Sequence, residues 1–189
     1  MRYEKDDLEN ALACLKEGGV ILYPTDTVWG LGCNAYDEKA IEKLYALKKR
    51  SAEKSMIVLV DTEVRLERSF ENIPEVAWEI IEFTEEPLTL ILDSPKAFPQ
   101  NLVHSDGSLA VRIVDDVFCQ HLISKLKGPL VSTSANFSGQ ITPRKFSEID
   151  PELLEAVDYV VKHKQDISEK AKASKIIKLK NNGSIKIIR

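Results

Sequence analysis

Short apolar runs rich in strand formers alternate with amphipathic helical stretches along most of this sequence, and that alternation restricts the chain to an α/β fold around a mixed sheet. Residues 6–18 carry Leu8, Ala11, Ala13, Cys14 and Leu15 at mixed three-to-four spacing and stop at Gly18-Gly19, which predicts an opening helix. Residues 20–23 form a short strand pattern closed by Pro24, which has no N–H for a ladder. Asp37 stands where it caps a helix over 38–48, with Ala40, Ile41, Leu44, Tyr45 and Leu47 on one face. Strand patterns recur at 56–60, 88–92, 109–114 and 130–132, and helical ones at 64–70, 76–83 and 115–126, with 151–156 the tail of another helix. Residues 93–107 form a long loop, and Asn181-Asn182-Gly183 between two short apolar runs signals a closing hairpin. No internal repeat or linker divides the chain, so a single domain over 1–189 is expected.

Composition narrows the class of function. Hydrophobic residues make up 43% and charged residues 30% of 189, an ordinary globular balance. No apolar run approaches the roughly 20 residues of a membrane span. The opening Met1-Arg2-Tyr3-Glu4-Lys5-Asp6-Asp7 lacks the apolar stretch of a leader, so a cytoplasmic protein without membrane contact is expected. Cys14, Cys33 and Cys119 form no CxxC pair and read as free thiols. His104, His121 and His163 have no ligand spacing, so no bound metal is expected on these residues. A net charge of -4 argues against a surface devoted to nucleic acid but leaves room for a local basic cleft.

Several segments carry groups that serve chemistry, each with a structural reading beside the functional one. Gly30-Leu31-Gly32-Cys33-Asn34-Ala35 matches a dinucleotide fingerprint by letter but does not open a helix directly after its strand, and no P-loop is present. Tyr23-Pro24-Thr25-Asp26-Thr27 brings hydroxyls to a strand end, followed by glycines that permit close approach of a ligand; a packed turn needs the same residues. Lys48-Lys49-Arg50, with Lys54, suits phosphate oxygens or simply a solvated helix end. Arg112 interrupts an apolar strand and shares the face of Ala110, so it needs either a substrate carboxylate or a structural ion pair. Ser132-Thr133-Ser134-Ala135-Asn136-Phe137-Ser138-Gly139 offers hydroxyls and an amide for phosphates or a nucleoside, or a capping turn; no nucleophile and base pair accompanies it.

Taken in order, Tyr23 to Gly32, Lys48-x-Arg50, Ala110-Val111-Arg112 and Ser134-x-Asn136-x-Ser138-Gly139 resemble the YrdC/Sua5 family over nearly the whole chain. The resemblance implies a twisted mixed sheet with flanking helices and a concave basic cleft. It also implies L-threonylcarbamoyladenylate synthesis from L-threonine, bicarbonate and ATP with Mg²⁺, releasing pyrophosphate for threonylcarbamoyl-adenosine in transfer RNA. Lys48, Arg50 and Lys54 would hold the triphosphate, and Ser134 and Asn136 the nucleotide and the reacting region. Ser108, Thr142 and Arg189 would add nucleotide contacts, and Thr27, Arg112 and Ser174 would hold threonine. Ser174 is followed here by Lys175, where the family shows a Ser-Thr pair. A short form without a further C-terminal domain would pass its product to a separate threonylcarbamoyl transferase. Direct contact with transfer RNA or double-stranded RNA is the rival reading, together with a related carbamoyl-adenylate chemistry. Placement at a helix end leads to the expectation that Lys48→Ala or Arg50→Ala stops synthesis and leaves the fold intact.

Overall fold

The alternation resolves into six α-helices and nine strands among the residues described by the computed structural model, 3–49, 56–167 and 173–189. In chain order these are α1 (Lys5–Lys16), β1 (Ile21–Tyr23), β2 (Gly30–Asn34), α2 (Glu38–Leu47), β3 (Ile57–Val60), α3 (Glu63–Arg68), α4 (Glu75–Phe83) and β4 (Leu88–Asp93). There follow β5 (Ser108–Ile113), α5 (Val117–Leu126), β6 (Leu130–Ser134), α6 (Pro151–Ala156), β7 (Tyr159–Val160), β8 (Lys175–Leu179) and β9 (Ile185–Ile187). The strands form one sheet in the order β7-β1-β2-β6-β3-β5-β4-β8-β9. Three pairings are parallel, β1 with β7, β3 with β5 and β4 with β8, and the others are antiparallel.

Strand alternation sends the two sets of side chains to two cores. Leu22, Leu31, Val58, Val111 and Val131 pack with residues of α2, α3, α4 and α6. Ile21, Tyr23, Leu59 and Leu130 point the other way and pack under α1 and α5. Those two helices cover part of their face and leave the rest open. The boundary falls within single strands: Leu59 and Leu130, paired in register, lie in the core, and Ile57 and Ser132, paired two residues away on the same face, line a cavity.

Two strands depart from the sequence expectation. Gly30-Leu31-Gly32, whose glycines the sequence offers to an approaching ligand, lies in strand β2; Gly30 lines that same cavity, whereas Gly32 serves packing. A Cβ on Gly32 would lie 2.5 Å from Val131 O and 2.7 Å from Tyr23 Cε1, so the glycine admits the Tyr23 ring across the sheet rather than a ligand. Strand β7 has only two residues and is held from α1, where buried Asp7 accepts from Tyr159 Oη at 2.7 Å and from the N–H groups of Lys162 and His163. No helix among the described residues is long and apolar enough to cross a membrane.

Candidate active site

The uncovered part of the sheet face holds a cavity of about 510 Å³. Its floor is built by register: Gly30 pairs with Ser134, Ile57 with Ser132, and Thr89 with Ile176, all lining residues. Thr25, Thr27, Arg112, Thr142, Arg144, Ser174 and Arg189 add to the lining, with Ile141 beside them. Three arginines and a series of hydroxyls therefore face the space, and among the described residues no carboxylate side chain lines it. In a chain whose net charge is -4, such a lining concentrates positive potential where an anion enters.

Six of the residues singled out in the sequence meet here: Thr27, Arg112, Ser134, Thr142, Ser174 and Arg189. Thr27 is held in a tight turn whose Thr25 Oγ1 accepts its N–H at 3.0 Å and donates to Val28 O at 2.8 Å. Arg112 shares its face with Ala110, as alternation requires, and has Asp26 Oδ1 3.0 Å from Nη2, with side-chain exposures of 3% and 7%. The ion pair raised by its position in an apolar strand is thus present, and Arg112 also lines the cavity. Ser174 Oγ lies 2.9 Å from Thr89 Oγ1, and Arg189 Nε donates to Ser174 O at 3.1 Å. Lys175, the first residue of β8, pairs with Glu86 at 2.6 Å and does not line the cavity.

Others lie elsewhere. Lys48 ends α2 but is not a solvated or cavity-facing cation: it is 1% exposed, and its Nζ donates to Ser134 O at 2.6 Å and to Asn136 O. Its own carbonyl accepts from Ser138 N at 3.1 Å, and Lys49 Nζ lies 4.8 Å from the Phe137 ring centroid. The end of α2 therefore supports the 134–138 segment from beneath. The Asn136 side chain is used inside that segment, its Nδ2 donating to Phe137 O and Gln140 O at 2.9 Å each, and it does not line the cavity. Ser108 is fully buried at the far end of β5, where its Oγ donates to Asp106 at 2.6 Å. Hydrogen bonds from Lys178 and then Ser108 hold the Asp106 carboxyl well below the usual range. Arg50 and Lys54 lie outside the described residues.

Thr89 and Arg144 line the cavity and were missed. Thr89 carried a readable signal, a polar residue in the apolar run of β4, on the same logic that singled out Arg112. Arg144 carried none, because it belongs to an irregular segment whose path depends on packing such as that of Trp29 on Phe146, with centroids 5.0 Å apart.

Comparison with known proteins agrees with this fold. A family model for Sua5, YciO and YrdC, described as "Telomere recombination", matches residues 13–189. The threonylcarbamoyl-AMP synthase of Xanthomonas euvesicatoria pv. vesicatoria (strain 85-10) is 38% identical over 159 residues, 82% of this chain and 84% of that one. Its namesake from Pseudomonas aeruginosa (strain UCBPP-PA14) is 35% identical over 152 residues, 80% of this chain and 82% of that one. Sua5 of P. abyssi solved with L-threonine superposes with a TM-score of 0.81 at 26% identity, covering 95% of this chain and 52% of that one. A variant of the same Sua5 gives 0.88 at 26% identity over 100% of this chain, which spans 57% of its length. E. coli YciO shares the fold, with a TM-score of 0.84 at 23% identity over 98% of this chain and 89% of that one.

Proposed function

The chain belongs to the Sua5, YciO and YrdC family, and from that membership we propose that it acts, as one domain over 1–189, as a threonylcarbamoyl-AMP synthase. It joins L-threonine, bicarbonate and ATP into L-threonylcarbamoyladenylate and releases pyrophosphate, supplying the group destined for threonylcarbamoyl-adenosine in transfer RNA. The observation that carries this reading is the cavity lined by hydroxyls and three arginines, with no carboxylate side chain among its described lining residues.

The chemistry asks for what such a lining provides. The threonine amine and bicarbonate give a carbamate and water; a carbamate oxygen then attacks the α-phosphorus, and the bond to pyrophosphate breaks. Neither step needs a covalent enzyme nucleophile, and both profit from oriented reactants and neutralised charge. Arg112 takes the threonine carboxylate in its planar fork, with Thr27 and the Thr89–Ser174 pair beside it. Ser134, Thr142, Arg144 and Arg189 face the nucleotide, and the resemblance assigns Arg50 and Lys54 to the triphosphate. Lys48 and Asn136 serve that side by shaping the 134–138 segment. Mg²⁺ enters with the triphosphate as part of the substrate: the described lining supplies no carboxylate side chain for it. The product passes to a threonylcarbamoyl transferase in the cytoplasm.

The test is pyrophosphate release from Mg·ATP and bicarbonate with and without L-threonine. Release that depends on threonine is expected. Its absence, with tight salt-sensitive RNA binding in its place, overturns the synthase in favour of an RNA-binding module.

A further inference from the structure

We propose that Asp26 is the positioning residue of Arg112: it anchors one edge of the guanidinium, so that the remaining N–H groups of the fork present themselves to a carboxylate in the cavity. The inference rests on the synthase reading, in which Arg112 receives the threonine carboxylate. Both side chains are more than nine-tenths buried, with Nη2 and Oδ1 3.0 Å apart. The contact is ionic rather than an aligned hydrogen bond, because Asp26 Oδ1 and Arg112 Nε are each buried without a hydrogen-bond partner.

Asp26 is itself fixed. Its Oδ2 accepts from Asp115 N at 3.2 Å, which ties it to the connection after β5, and the Thr25–Val28 turn closes around it. That turn puts Thr25 and Thr27 in the lining of the cavity and Asp26 outside it, in the wall of a second cavity of about 410 Å³ shared with Asp115, Val111 and Ile113. Arg112 lines the first cavity and not the second. Its guanidinium is therefore held from behind by a carboxylate that the substrate does not displace. A buried guanidinium without its counter-charge is strongly disfavoured and turns toward whatever acceptors lie in reach. A fixed partner defines the plane in which the fork meets a planar carboxylate.

The test is a double-mutant cycle on pyrophosphate release by the full chain, with L-threonine binding by calorimetry supplying the same cycle where turnover is too slow. Asp26→Asn is expected to raise the threonine KM about tenfold, to leave the ATP KM within about twofold, and to add nothing when Arg112 is already alanine. An equal loss in the Arg112→Ala background makes Asp26 a general structural residue and overturns the proposal. So does a threonine KM that stays level or falls, since Asp26 is then a bystander or a competitor of the substrate. Should Asp26→Asn fail to fold, Asp26→Glu carries the same cycle: it keeps the charge but shifts the carboxylate by one methylene, and an unchanged threonine KM overturns the idea. An active wild type with an additive cycle removes this inference alone; a wild type without threonine-dependent release removes the synthase reading and the inference together.

Discussion

The ammonium of Lys48 sits in the interior against the carbonyls of Ser134 and Asn136, where a cation persists only because hydrogen bonds replace its water. Sequence alone put Lys48 at a helix end and made it dispensable to the fold; burial of all but 1% of its surface corrects that. Lys48→Met keeps most of the volume and removes the donors, so it should cost about 1–3 kcal/mol in urea unfolding, chiefly through the Asn136 carbonyl, since that of Ser134 still accepts from Asn136 N at 2.9 Å. Synthase activity should fall with it, while the threonine KM stays near that of the wild type. A variant as stable as the parent would return Lys48 to the class of surface cations. Arg112 behaved differently at the same scale. An arginine in an apolar strand must be satisfied wherever it lies, so its importance was legible before its partner Asp26 was known.

Among the elements, those with a local cause were the readable ones. Asp37 accepts from the backbone N–H of Ala40 at the helix start that its residue type signals, and Asp116 and Asp150 cap in the same way, accepting from Cys119 and Glu152, at starts that the sequence patterns do not place. Asp37→Ala should therefore destabilise the chain by about 1 kcal/mol, measured as a shift in the urea midpoint at constant m-value. No shift would mean that α2 is held by its packing alone. The strands that escaped notice have causes elsewhere in the chain. Glycine is a poor strand former, and β2 exists because β1 and β6 flank it and the Tyr23 ring needs the space above Gly32. The two residues of β7 are too few to show a period and are kept in place by Asp7 on α1.

At the scale of the molecule, one sheet runs through all nine described strands, and its two cores share the same ladder. Unfolding should accordingly be a single cooperative transition, with calorimetric and van't Hoff enthalpies in agreement. Two separated transitions would show that the α1 and α5 side comes apart independently. The α/β class, the approximate positions of most helices and strands, and the order of the family motifs were determined by the sequence itself, because periodicity, caps and breakers act over a few residues. Tertiary structure alone decided which of those motifs meet. Strand register put Ser132, Ile57, Arg112 and Thr89 on one face, and the limited reach of α1 and α5 left that face open. It also turned Lys48 inward and set Asp26 behind Arg112. The physical reason is one of range: a side chain's type is written at its own position, whereas its burial and its partner depend on chain that arrives from tens of residues away.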